Sequence, residues 1–157
     1  MRIRHVMTKD PKWCVPSDTV QHAAGIMRDE NAGIVPVIDD EQGRRLAGVV
    51  TDRDLCMNVV AEGRDPKTVT VAECMTTKVV SCSPDDAIER VTELMRENQI
   101  RRVPVVNEGG ELQGIVALAD VVERGNVKST QTHETLKEVS APTDVPSKPR
   151  AQSKNVA

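Results

Sequence analysis

The sequence predicts an α/β (α+β) fold built from two consecutive copies of one β-α-β-β-α unit. The first observation is an internal repeat. A shift of 68 residues superposes Cys14 on Cys82 and the segment VPVI at 35–38 on VPVV at 103–106. The second is that apolar residues recur with helical spacing in one part of each copy and as β-branched runs in another. Because the match spans nearly all of residues 6–124, we interpret the chain as a duplicated unit.

Each copy is predicted to begin with a short apolar strand and a helix. The apolar stretches are Trp13–Val15 and Val79–Cys82. Asp18–Thr19 and Pro84–Asp85 are residue pairs typical of helix starts. The spacing i, i+3, i+4, i+7 then indicates one apolar helix face in each copy. Its positions are 20, 23, 24 and 27 in the first copy and 88, 91, 94 and 95 in the second.

A hairpin and a second helix complete each copy. The runs IVPVI and LAGVV flank the polar turn DDEQGRR, and VPVV and LQGIV flank NEGGE, which predicts two β-hairpins. Because the second turn is two residues shorter, the shift becomes 66 and superposes GVVTDRD at 48–54 on GIVALAD at 114–120. Each segment opens a helix that is predicted to end at a glycine, Gly63 or Gly125.

The predicted organisation is a first repeat at 3–60, a linker at 61–73, a second repeat at 74–125 and a tail at 126–157. The linker is short and polar, so we expect the two repeats to pack face to face. In the tail, Ser, Thr, Pro and Lys dominate, a composition typical of disorder.

Charge and composition exclude several classes of partner. The net charge of −3 disfavours nucleic acids and anionic membranes, which attract basic surfaces. One Trp with no Phe or Tyr leaves few platforms for stacking bases. No apolar run is long enough to span a membrane, and the first residues lack the apolar core of a secretory signal. We therefore expect a cytoplasmic protein with no nucleic-acid or membrane partner.

Catalytic and metal-binding motifs are missing from the sequence. The three histidines, His5, His22 and His133, have no nucleophile or acid at a recognisable spacing. The four cysteines show no C-x-x-C pattern, which disfavours zinc and thioredoxin-like chemistry and favours buried thiols. We therefore expect a protein that is not an enzyme and that requires neither a metal nor a cofactor.

The quoted motifs together are similar to a known family. The β-α-β-β-α unit, the MT opening, the VPV strand and the closing G-h-h-T-x-x-D (h apolar) resemble the CBS domain, named after cystathionine β-synthase. Two in tandem over residues 3–125 resemble a Bateman module of the stand-alone bacterial type. The resemblance implies repeats packed about a pseudo-two-fold axis with two clefts, and a homodimer. It also implies sensing of an adenosyl ligand (AMP, ADP, ATP or S-adenosylmethionine) on behalf of an unidentified protein partner.

The T-x-x-D pattern at Thr51 and Asp54 has two interpretations. One carboxylate can accept hydrogen bonds from both hydroxyls of a ribose, and a helix start attracts phosphate. The same pattern is also a capping box, in which both side chains bind the helix's own amides. The second copy has Ala117 in place of the threonine but retains Asp120. Taken alone, the pattern favours the cap. Capping is a weak reason for that retention, however, and with the family resemblance added we favour a ribose role for Asp54.

The resemblance implies that a first cleft is formed by both repeats. The strand alternation of side chains predicts that Arg101 and Arg102 point to opposite faces, so that one lines the cleft and the other faces solvent. A guanidinium in the cleft would suit a phosphate. The residues that the resemblance assigns to this cleft are Thr51, Arg53, Asp54, Ser81, Arg101, Arg102 and Val103.

A second, weaker cleft is implied around Asp120, with Ile34, Val35 and Trp13. Trp13 occupies the position that Ser81 occupies in the other repeat, where the family usually has a small hydroxylated residue. An indole there could stack on a base or fill the cleft. Because an indole fills volume, we favour the second and expect this cleft to be empty or weak.

A ligand-independent function is the alternative. Cys14 and Cys82 occupy equivalent positions of the two repeats, which would place thiols at related sites. The chain could then act as a dimeric interaction module or as a redox-responsive one. A shift in melting with adenosyl compounds would favour the sensor, and a shift with reductant would favour the redox module.

Overall fold

The computed structural model describes residues 1–124 and residue 137. The predicted disordered tail at 126–157 therefore lies outside the described residues apart from Lys137, and so does the predicted helix stop at Gly125. After a 3-10 turn at Ile3–His5, the first half contains β1 (Thr8–Lys9), α1 (Val20–Asp29), β2 (Ile34–Ile38), β3 (Leu46–Thr51) and α2 (Asp52–Leu55), which continues as a π-helical turn at Cys56–Val60.

The second half repeats this order, except that a single bridge between Thr76 and Val49 takes the place of β1. Its elements are α3 (Val71–Cys74), α4 (Ile88–Asn98), β4 (Arg102–Val106), β5 (Leu112–Ala117) and α5 (Leu118–Arg124). The predicted first strand of each copy is reduced to a single parallel bridge, from Cys14 to Val37 and from Cys82 to Val105.

The first helix of each repeat presents the predicted apolar face to the core. Val20, Ala23 and Met27 are buried in α1, and the matching residues of α4 are buried too. Ala24 was also predicted on this face, but it is exposed. Thr19 caps α1 by accepting a hydrogen bond of 3.2 Å from the amide of His22.

The two predicted hairpins are confirmed, and they meet at their turns. Strand β2 pairs with β3 and β4 pairs with β5, both antiparallel and with a register shift at equivalent positions. The amide of Leu46 donates to Gly110 O and the amide of Leu112 donates to Arg44 O, each at 2.9 Å. The shift of 66 residues converts each of these bonds into the other. This reciprocity is the local signature of the predicted pseudo-two-fold axis.

Each repeat is completed by a segment that lies outside it in the sequence. Ile3 and Val6 are fully buried in the core of the second half, and strand β1 pairs with β5. Val69 and Val71 are buried in the core of the first half, where the Val71 amide donates to Asp18 O at 2.8 Å. The chain therefore exchanges its N-terminal segment and its joint between the two repeats.

The joint between the repeats is fixed by a capping box on α3. Glu73 accepts a hydrogen bond of 2.8 Å from the amide of Thr70 and forms an ion pair with Arg64. The bond from the Thr70 amide, followed by that from Arg64, lowers the pKa of the Glu73 carboxyl. These contacts tie the two ends of the joint together. The amides of Val20 and Gln21 hold the joint against the first repeat by donating to Val69 O and Pro66 O.

Two glycines allow the exchanged segments to cross the hairpins. A Cβ atom on Gly48 would lie 2.6 Å from Thr76 O, and one on Gly114 would lie 2.7 Å from Thr8 O. Both distances are too short for a side chain, so only glycine fits at these positions. The glycine of each G-h-h segment is thereby explained by packing.

Candidate functional site

A large cleft opens between the two repeats where β3 ends and α2 begins. Its volume is about 940 Å³. The first repeat contributes the end of β3 and the start of α2, and the second contributes residues before β4. The lining residues are Gly33, Ile34, Val49, Thr51, Asp52, Arg53, Asp54, Thr76, Lys78, Val79, Val80, Asn98, Gln99, Ile100, Arg101, Arg102 and Pro104.

Thr51 and Asp54 form the capping box that the sequence allowed. Thr51 Oγ1 accepts from the Asp54 amide at 3.1 Å, and Asp54 Oδ2 accepts from the Thr51 amide at 2.9 Å. Among the described residues, no group donates to Asp54 Oδ1. A carboxylate offers about four lone-pair directions, so Asp54 can cap the helix and still accept hydrogen bonds from a ligand.

The large cleft carries a surplus of positive charge. Four cationic side chains and two carboxylates are among its described lining residues, whereas the whole chain has a net charge of −3. The cations are Arg53, Lys78, Arg101 and Arg102, and the carboxylates are Asp52 and Asp54. Such a lining attracts anions, and guanidinium groups suit phosphate oxygens in particular.

The prediction that Arg101 and Arg102 separate is wrong, because both line the large cleft. Strand β4 begins at Arg102, so Arg101 precedes the strand and the alternation of side chains does not apply to it. Ser81 and Val103 do not line the cleft. Val103 is fully buried beneath it, and Ser81 lies beside the core residue Cys82.

A smaller cleft of about 300 Å³ lies at the equivalent place in the other half. Asp120 and Ile34 line it as predicted, whereas Trp13 and Val35 do not. Among the described residues, its charged lining is balanced, with two cations and two carboxylates, namely Lys12, Arg102, Glu30 and Asp120. The smaller cleft therefore has less volume than the large one, and its described lining carries no net charge.

The retention of Asp120 has a structural explanation that the sequence interpretation undervalued. Asp120 Oδ2 accepts a hydrogen bond of 3.0 Å from the amide of Ala117, as Asp54 does from Thr51. Half of the capping box thus survives without the hydroxyl, because the carboxylate needs only a backbone donor. Capping is a sufficient reason for an aspartate at position 120.

Several lining residues were missed by sequence reasoning, yet the repeat contains the signal for them. The shift of 68 residues maps Pro11 and Lys12 of the small cleft onto Val79 and Val80 of the large one. It also maps the helix-to-strand connection at 30–32 onto 98–100. Asn31 and Gln99, the central residues of those connections, both have a positive φ, 49° and 53°.

The equivalent thiols lie in the two cores and are chemically protected. Burial raises the pKa of Cys14 to about 12, with a smaller contribution from Asp18, and burial with Asp86 does the same for Cys82. Each Sγ lies 3.8 Å from a carbonyl oxygen of the neighbouring strand. Since the thiolate is the reactive form, this environment disfavours a redox role for the pair.

The described part of the chain contains neither a metal-binding cluster nor a membrane-spanning helix. Residues 1–124 contain no cluster of three or more His, Cys, Asp or Glu side chains placed to hold a metal ion. Within the same part of the chain, no helix has the length and hydrophobicity needed to cross a bilayer.

Comparisons with known proteins identify the family. The CBS domain model matches residues 3–61 and 71–126. The CBS domain-containing protein YhcV of Bacillus subtilis is 41% identical over 119 residues, which cover 76% of this chain and 81% of that protein.

Solved structures agree with the sequence matches. Hypoxic Response Protein I, solved with two coordinated zinc ions, has a TM-score of 0.72 at 32% identity and covers 79% of this chain and 98% of its own. The CBS domain pair of protein MJ0100, in complex with 5′-methylthioadenosine and S-adenosyl-L-methionine, has a TM-score of 0.68 at 26% identity, with coverage of 78% and 93%. Two family matches in tandem, on a duplicated fold with two equivalent clefts lined by both repeats, show that this chain belongs to the CBS domain family as a CBS pair.

Proposed function

We propose that the chain is a non-catalytic regulatory module that senses an adenosyl ligand in its large cleft. The observation that carries this proposal is the positively lined cavity of about 940 Å³ at the Thr51–Asp54 turn. A CBS pair of similar fold is solved with adenosyl compounds, which supports the same ligand class here. The ligand would be AMP, ADP, ATP or S-adenosylmethionine.

Asp54 is proposed to bind the ribose. Its Oδ1 is unengaged by the described residues, and the carboxylate is half-buried at the cleft wall. The two neighbouring hydroxyls of a ribose would donate to it in charge-assisted hydrogen bonds. Thr51, held by the same capping box, fixes the position of the carboxylate.

The cationic side chains are proposed to bind the phosphate groups. Arg53 lies next to Asp54 on the first repeat, and Arg101 and Arg102 approach from the second. A phosphate among several cations replaces their mutual repulsion by attraction, so phosphorylated ligands should bind better than the cationic sulfonium of S-adenosylmethionine.

Signalling is proposed to pass through a partner protein in the cytoplasm, with the chain acting as a homodimer. Exposed apolar side chains support a further protein contact on the last helix of each repeat. Met57 and Val60 are 54% and 73% exposed after α2, and Val122 is 41% exposed on α5.

Calorimetric titration with AMP, ADP, ATP and S-adenosylmethionine tests the proposal. Asp54→Asn retains an oxygen that can cap the Thr51 amide but loses the charge that binds the ribose, so it should weaken nucleotide binding by about ten-fold or more. Asp120→Asn is the matched control, since it changes the same capping contact in the other half and should leave large-cleft affinity within about two-fold.

The proposal fails if none of the four compounds binds. Equal losses of affinity from both variants would also contradict it, because they would show an effect of capping on the fold and not of Asp54 on the ligand. Thermal melting gives an independent measure, since a ligand at 100 times its dissociation constant stabilises the folded state by about 2.7 kcal/mol.

A further inference from the structure

Two of the described residues, Ile34 and Arg102, line both clefts. They are equivalent under the shift of 68 residues, and each lies at the first position of its strand, β2 or β4. The internal symmetry therefore places the same position of each repeat between the two cavities. In one repeat that position is apolar, and in the other it carries a positive charge.

The guanidinium of Arg102 is not held in either cleft by a contact with a described residue. Its side chain is exposed, and it forms no hydrogen bond or ion pair with any of the residues that the structure describes. By contrast, Arg64 in the joint is held by Glu73. A long arginine side chain without such a contact can place its charge on either side of the strand.

The position of the Arg102 guanidinium determines the net charge of the small cleft. With Arg102, the cleft has equal numbers of cations and carboxylates. Without it, Lys12 remains against Glu30 and Asp120, which leaves one excess negative charge. A ligand with a phosphate would then meet repulsion where it previously met a neutral lining.

The geometry points to Arg102 as a shared residue that couples the two clefts in binding. A phosphorylated nucleotide in the large cleft draws the guanidinium to its phosphate and leaves the small cleft net negative. Binding of a second phosphorylated nucleotide in the small cleft is thereby weakened, and the effect is reciprocal. This inference rests on the proposed function of the large cleft, and it adds the regulation of one site by the other.

Isoleucine methyl NMR can observe the two clefts separately. Ile100 lines only the large cleft, whereas Ile26 and Ile115 line only the small one. We expect AMP to shift Ile100 first and the other two at higher concentration. When Asp54→Ala abolishes binding in the large cleft, the small-cleft affinity should rise by about five-fold. In an Arg102→Gln background, the same Asp54→Ala change should alter the affinity of the small cleft by less than about two-fold.

Arg101→Gln is the matched control, because Arg101 lines the large cleft but not the small one. It should weaken the response of Ile100 while preserving the effect of Asp54→Ala on the small cleft. The coupling is overturned if Ile100 responds but Ile26 and Ile115 do not. It is equally overturned if the Asp54→Ala effect persists without Arg102. If none of AMP, ADP, ATP and S-adenosylmethionine shifts Ile100, the result refutes instead the proposed function of the large cleft.

Discussion

The carboxylate of Asp54 accepts a hydrogen bond of 2.9 Å from the amide of Thr51, while the Thr51 hydroxyl accepts one of 3.1 Å from the amide of Asp54. The second repeat keeps only the carboxylate half of this box, between Asp120 and the amide of Ala117. The duplicated fold thus contains its own comparison between a complete cap and a partial one.

Removing or completing the cap should change stability in opposite directions. Thr51→Ala removes a hydroxyl that accepts from a helix amide, so it should lower the free energy of unfolding by about 1 kcal/mol. Ala117→Thr supplies the missing hydroxyl and should raise it by up to about 1 kcal/mol. Urea denaturation measures both. A loss of stability in Ala117→Thr would show that the second helix start cannot accommodate the hydroxyl.

Alanine at either crossing glycine should destabilise the fold. The new Cβ of Gly48→Ala or Gly114→Ala would press on a backbone carbonyl of the exchanged segment, at a cost of about 1–3 kcal/mol each. Gly25→Ala is the control, since its Cβ would meet no atom within 4 Å in α1. That change should stabilise the protein by about 0.5–1 kcal/mol. Melting temperatures that rise in all three variants would contradict the close crossing.

The exchanged segments should be as important to stability as the cores they complete. Val71→Ala and Ile3→Ala each remove fully buried methyl groups, so each should cost about 2–4 kcal/mol in the free energy of unfolding. Val60→Ala, at a side chain that is 73% exposed, should change it by less than about 0.5 kcal/mol. Guanidinium denaturation distinguishes these values. Equal effects at all three positions would show that the two segments do not pack as described.

The core thiols predict a loss of stability at alkaline pH. The pKa of Cys14 and of Cys82 is about 12 in the folded state against 9.0 for an ordinary thiol, so the folded state binds more protons between these values. Stability should therefore fall as the pH rises above about 9, by up to about 1.4 kcal/mol per pH unit for each thiol.

Denaturation at pH 8, 9 and 10 measures that slope. The double variant Cys14→Ala, Cys82→Ala should show a shallower decline than the parent protein, whatever its stability at pH 8. Identical slopes in the two proteins would contradict the raised pKa values. Exposed Cys56 should react with a thiol reagent at pH 8 while the two core thiols do not.

The internal repeat made much of the fold accessible from the sequence. Hairpins and amphipathic helices depend on local spacing, and a duplicated pattern confirms each local signal with a second copy. The exchange of Ile3 and Val71 between the repeats was not predictable, because an apolar residue in a short segment fits either of two aliphatic cores equally well. Only the three-dimensional path of the chain decides between them.

The candidate site was predictable in its centre and less so at its edges. Thr51 and Asp54 line the large cleft together with both arginines that the resemblance assigned to it, although strand alternation had predicted that the arginines separate. Ser81, Val103, Val35 and Trp13 do not line the cavities to which they were assigned. Trp13 and Ser81 lie beside the single-bridge positions Cys14 and Cys82. A segment with only one bridge has no regular alternation of side chains, so the sequence does not determine which side such residues face. Val79, Val80 and Gln99 could have been found by applying the repeat shift to both clefts, because their equivalents Pro11, Lys12 and Asn31 line the small one. Lys78 could not, because its equivalent, Asp10, does not line the small cleft.

The swap of the first nine residues with the joint has a consequence for synthesis on the ribosome. The first half can close its core only after residue 76 has emerged, because Val71 and the crossing at Thr76 belong to it. Strand β1, in the N-terminal segment, has no pairing partner until β5 has been synthesised. If either repeat were expressed alone, with the limits that the sequence repeat indicates, its hydrophobic core would be incomplete. A fragment with a complete core would instead span about residues 10–76. These limits differ from those of the sequence repeat, because they leave out the N-terminal segment and include the joint.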